Sequence, residues 1–130
     1  MLVRCRSTLP TLPQSVRLGR YFKPGAQEFP VEIGREYMAF GLRLWGAGAW
    51  VDIEVDAGYL VSVPLCLFEV IDAKVSGTWT IRLHDDEDVA LMPEPFHVEF
   101  FQDDLIEGVA EARIAFNEMK RQMLAEQRSS

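Results

Sequence analysis

Residues 85–111 carry ten carboxylates and no lysine or arginine: Asp85, Asp86, Glu87, Asp88, Glu94, Glu99, Asp103, Asp104, Glu107 and Glu111. Charge of one sign over so short a stretch has two readings. It can be a solvated face that keeps the chain in solution. It can also be a docking surface, because a one-signed field steers a cationic partner and raises association rates roughly 10- to 1,000-fold at low salt. Asp103 or Asp104 has a local role as well, since a carboxylate at a helix start meets unpaired backbone N–H groups. As a docking surface the contact residues are Asp85, Asp86, Glu87, Asp88, Glu94, Asp104, Glu107 and Glu111.

Other chemistries find less to work with. The run His84-Asp85-Asp86-Glu87-Asp88 offers oxygen ligands to a hard cation, but it lacks the sixth-position glycine and twelfth-position glutamate of an EF-hand loop. Adjacent acids on one loop cannot all converge on one ion, so a solvated hairpin tip without metal is expected. His84 and His97 are the only histidines, and neither sits in a nucleophile motif. His97 lies in an alternating segment with Val98 inward and is expected to point outward. Gly46 and Gly48 lack the lysine and the strand–helix context of a phosphate cradle. Trp45, Trp50 and Trp79 suit an aromatic platform or, more in keeping with their strand positions, a core and its half-buried rim. No cofactor and no enzymatic activity are expected.

The chain has 130 residues, a formal net charge of −7 and 48% hydrophobic residues. That length fits a single domain, 1–130, able to bury roughly two-thirds of its extended surface. The acidic balance argues against nucleic acid as a partner. No run approaches the ~18 consecutive apolar residues of a membrane span. Two cysteines fall short of the disulfide framework of a small secreted domain. Cys66, inside the apolar run 61–68, reads as a buried thiol, with a Cys5–Cys66 disulfide as the alternative. No apolar segment of a secretory signal follows Met1, and a cytoplasmic location is expected.

These residues must be positioned by elements legible in the pattern. Prolines at 10, 13, 24 and 30 and five basic residues without an acid in 1–23 suggest an extended basic arm over 1–30. A β core is expected over 31–101. Val31, Ile33, Tyr37, Ala39, Leu42 and Leu44 alternate with polar residues, with Gly34 and Gly41 as breaks. Residues 45–50 form a glycine-bearing hairpin connection, and in 50–55 Val51, Ile53 and Val55 face inward while Asp52 and Glu54 face outward. Residues 65–72 read as a strand buried on both faces, 78–83 as an alternating strand, and 96–101 as the last strand. Leu105, Val109, Ala112, Phe116, Met119 and Met123 then line one face of a helix over 103–127, about 35 Å long at ~1.5 Å per residue. The fold class is α+β, mainly β: a small antiparallel SH3-like, partly open barrel or bent sheet with a long C-terminal helix.

The phrases 34–42 (Gly-Arg-Glu-Tyr-Met-Ala-Phe-Gly-Leu) and 67–72 (Leu-Phe-Glu-Val-Ile-Asp), followed by Ser76 and Trp79, resemble small acidic bacterial immunity proteins of contact-dependent and polymorphic toxin systems. The resemblance implies a compact inhibitor that neutralises a cognate toxin domain, commonly a nuclease. It transfers no catalytic residue. The expected function is therefore non-enzymatic inhibition of a basic toxin domain through the acidic surface. The rival reading is an SH3-like module whose Trp and Tyr residues present a groove to a peptide.

Overall fold

Short runs of β-branched and aromatic residues punctuated by glycine and proline fold into strands, and the one stretch with a helical repeat folds into helix. The computed structural model describes residues 1–11, 13–14, 28–45, 48–84 and 88–129. Within these, the strands are β1 Leu2–Cys5, β2 Glu36–Met38, β3 Gly41–Trp45, β4 Gly48–Glu54, β5 Leu60–Pro64, β6 Phe68–Asp72, β7 Trp79–His84 and β8 Asp88–Pro93. Two helices follow, α1 Phe101–Ile106 and α2 Ala110–Ser129. No described helix is long and apolar enough to cross a membrane.

The strands form two antiparallel sheets, of order β2-β1-β6 and β5-β4-β3-β8-β7. The chain is thus α+β, mainly β, and its sheets stay open. The larger sheet is the middle layer. Val51, Ile53 and Val63 on one face pack against Val3, Cys5, Tyr37 and Phe68 of the smaller sheet. Leu60, Ala90 and Met92 on the other face pack against Phe101 and Leu105 of α1 and Ala112, Phe116 and Met123 of α2. Each such large side chain contributes about 1.5–3 kcal/mol when fully removed from water. Lys120 fastens α2 to β4 through Glu54 at 2.7 Å, and Arg113 donates to the Gly58 carbonyl at 2.6 Å.

Several expectations are corrected. The first residues are extended, but Leu2–Cys5 is the middle strand of the smaller sheet, with Val3 and Cys5 buried. Within the basic arm expected over 1–30, residues 12 and 15–27 lie outside the described residues, as do 46–47 of the hairpin, whose flanking strands pair Trp45 with Gly48. Ile33 sits exposed in a turn completed by Gly34 at φ 89°, a left-handed conformation that favours glycine. Residues 65–72 are not one doubly buried strand. Leu65–Leu67 is a 3-10 turn, and β6 is an edge strand exposed beyond Phe68. Cys66 is exposed while Cys5 is the buried thiol, and no disulfide joins them. Residues 96–101 form no strand: Pro93 and Pro95 cannot donate to a ladder, and a 3-10 turn over Glu94–His97 leads into α1. The single terminal helix is two, interrupted at Gly108 (φ 75°). Asp103 and Asp104 sit in the first turn of α1 and do not cap it; the N-cap position belongs to Phe100.

Candidate functional site

Two polar assemblies lie on the helical side of the larger sheet. The first is buried. Gly41, Asp52 and Ser62 stand side by side on β3, β4 and β5. Asp52, expected to face solvent, is only 2% exposed, because the helices cover that face as the smaller sheet covers the other. Arg43 Nε donates to both carboxylate oxygens at 3.1 Å, and its NH2 group lies 3.0 Å from Oδ2. Ser62 Oγ donates to Oδ1 at 2.6 Å and accepts from Gln102 Nε2 of α1 at 3.3 Å. The Arg43 guanidinium also lies over the Trp45 ring, 5.3 Å from its centre. A buried carboxylate survives only with such compensation, since removal from water costs several kcal/mol per ion.

Gly41 makes room for this knot. A Cβ there would stand 3.0 Å from Asp52 Oδ2 and 3.1 Å from the Leu91 carbonyl oxygen. Sequence reasoning missed Asp52 and Arg43. A glycine inside a strand, with an arginine two residues on, was the available signal, because strand glycines often mark the close approach of another group. Chemically the knot is structural. The Ser62 hydroxyl is committed to Asp52 and Gln102, and no described imidazole reaches it.

The second assembly is the exposed corner formed by the end of the 3-10 turn, α1 and the start of α2. Glu99, Asp103, Glu107 and Glu111 are exposed, and Asp104 is half-buried. Among the described residues, none of these five lies within ion-pair distance of a lysine, arginine or histidine. Large apolar side chains stand among them: Val98, Phe100 and Ile106 are all exposed, Phe100 to 65%. Phe100 also adopts φ 63°, the single positive-φ non-glycine among the described residues. Such a conformation costs about 1–2 kcal/mol, and strained residues cluster at functional sites. A groove of about 350 Å³ runs from Phe100 and Asp103 past His97 to Arg43, so the two assemblies adjoin.

The expected contact residues separate accordingly. Asp104, Glu107 and Glu111 fall on the corner, whereas Asp85, Asp86 and Glu87 lie outside the described residues. Asp88 pairs with His84 across the β7–β8 hairpin and is half-buried. Glu94 is exposed and already engaged within the chain. It accepts from Thr80 Oγ1 at 2.9 Å and from Arg82 at 2.5 Å, and these partners, the Thr80 hydroxyl foremost, hold its carboxyl below the usual carboxylate range.

His97 does not point outward. Its Nε2 lies 3.0 Å from the Thr80 carbonyl oxygen and 3.1 Å from that of Met92. Two acceptors require Nε2 to carry the proton, so the imidazole ties the 3-10 turn to β7 and β8. Among the described residues no three His, Cys, Asp or Glu side chains gather to hold a metal ion. Trp50 is buried, and Trp45 and Trp79 are half-buried, so they belong to the core and its rim. A larger groove of about 660 Å³ lies between α2 and the connection from β6 to β7. There the Glu126 carboxylate is occupied by the Ser76 hydroxyl and the Gly77 N–H. No family model matches the chain, and neither the curated proteins nor the solved structures contain a match to it.

Proposed function

We propose that this chain is a non-enzymatic, cytoplasmic inhibitor that docks a basic protein domain on its helical corner, in the manner of an immunity protein neutralising a cognate toxin. The observation that carries the reading is the interleaving of exposed acids (Glu99, Asp103, Glu107, Glu111) with exposed Val98, Phe100 and Ile106. Apolar and aromatic anchors that become fully desolvated dominate binding energy, while surrounding charges set encounter rate and register. Close charge pairs across such interfaces couple by about 1.5–7 kcal/mol. A nuclease cleft, cationic because it binds nucleic acid, is the complementary surface, and covering it would exclude the substrate.

The test is co-expression with the product of the open reading frame beside its own gene, followed by purification of the complex and stopped-flow association at several ionic strengths. A one-to-one complex is expected whose association rate falls steeply with salt. The triple variant Asp103→Asn, Glu107→Gln, Glu111→Gln slows association, and Phe100→Ala speeds dissociation. Association indifferent to both salt and the triple variant would sink this reading.

A further inference from the structure

The larger sheet is only half covered on the face turned toward the smaller one. Val51, Ile53 and Val63 are buried there, but across the sheet the same face continues through Leu42 and Leu44 of β3 and Leu91 and Val89 of β8 to Ile81 and Leu83 of β7. Leu42, Val89 and Leu91 are half-buried there and Leu44 is 39% exposed, while on β7 Ile81 reaches 61% and Leu83 74%. β7 is also the edge of its sheet, and no described strand pairs with its outer side. A long edge strand carrying exposed apolar residues is a template for pairing with another strand. Natural sheets guard such edges with charges aimed along them. Here the one arginine, Arg82, lies on the opposite face and is bound to Glu94.

We propose that two copies of this chain associate through β7, antiparallel about Ile81, to make one continuous ten-stranded sheet. In that register Ile81 faces its own counterpart, Leu83 faces Trp79 of the second copy, and Thr80 faces Arg82. The charges select a second copy as the occupant. Glu94 accepts from both Thr80 and Arg82 of its own chain. Placing Arg82 opposite Thr80 of the second copy therefore brings each guanidinium beside the other chain's Glu94 carboxylate, a symmetric pair of crossed salt bridges. β7 itself contains no acid, so a second copy of a chain of net charge −7 meets no carboxylate of this strand directly across the edge. The symmetry is that of a two-fold dimer, in which each residue meets its reciprocal. The corner that holds Phe100 stays outside the joint, so the dimer would present two such corners.

Sedimentation equilibrium of the full chain tests this. A species of twice the 14.8 kDa chain mass is expected. Ile81→Lys, at an exposed position, should halve that mass while circular dichroism and melting temperature stay unchanged. Ile81→Cys in a Cys66→Ser background reads the register: oxidation should yield a covalent dimer, whereas Arg82→Cys in the same background should not. A wild-type chain that sediments as a monomer at all concentrations, as it would if a foreign strand were the natural occupant, overturns the proposal. So does a dimer that survives Ile81→Lys, or one that cross-links through Arg82→Cys and not through Ile81→Cys.

Discussion

Asp52 and the acids of the helical corner are the same chemistry in opposite surroundings. Asp52 is sealed between sheet and helices, gripped by Arg43 and Ser62, with Gly41 leaving room for its carboxylate. Glu99, Asp103, Glu107 and Glu111 are exposed, with no described cation within ion-pair distance. A buried ion pair is costly to break but contributes little net stability over a well-packed apolar substitute. Exposed acids contribute almost nothing to stability and are cheap to change. The first group is therefore where substitution reads out as folding, and the second is where it reads out as binding.

The largest effect separating the two is expected at the knot. Asp52→Ala would leave Arg43 and Ser62 without their acceptor and should destabilise by about 3–5 kcal/mol in urea unfolding. The triple neutralisation at Asp103, Glu107 and Glu111 should stay within about 0.5 kcal/mol of wild type in the same assay. Comparable losses in both would erase the distinction. Gly41→Ala comes next. Its Cβ presses on Asp52 and on the Leu91 backbone, and a cost of about 1–3 kcal/mol follows by the usual penalty for overpacking.

Phe100 sharpens the contrast from the other side. Phe100→Gly relieves the left-handed backbone and, after the extra chain entropy of glycine, should stabilise by about 0.5–1 kcal/mol in thermal unfolding. The same variant removes the apolar anchor and should weaken partner binding. A residue that stabilises when lost and binds when kept is held for function.

The smallest effect concerns Glu94, which sits between the two classes: exposed, yet held by Thr80 and Arg82. Its carboxyl lies below the usual range in the folded chain. Its contribution is therefore complete above the unfolded-state value and is lost as pH falls through the folded one. Glu94→Gln removes that contribution, so melting temperature plotted against pH should fall less steeply in acid than for wild type. A steeper acid limb in the variant would contradict the assigned ion pair.

Much of the fold was legible because it depends on local pattern. Alternation through Leu42 and Leu44, in 50–55 and in 78–83 reads as strand and falls on β3, β4 and β7, and Ala112, Phe116 and Met123 bury the helical face their spacing predicted. Misreadings arose where partners far along the chain decide. Residues 65–72, read as one strand buried on both faces, became a 3-10 turn and an edge strand that only β1 pairs among the described strands; the division of the helix over 103–127, by contrast, is local, at the left-handed Gly108. The candidate corner was partly legible. Its acids belong to a stretch of one charge sign in sequence, but Phe100 fell inside 96–101, read as the last strand.

Neighbours along the chain fix the α+β class, the terminal helical face and the absence of lysine and arginine between 85 and 111. Tertiary structure alone decided which strand faces were covered. Period-two alternation says that two faces differ, but whether the second meets water or a helix depends on layers assembled from distant residues. For that reason Asp52 became the buried centre of a polar knot and Cys66 came to the surface, while Ile81 and Leu83 were left exposed on an open edge.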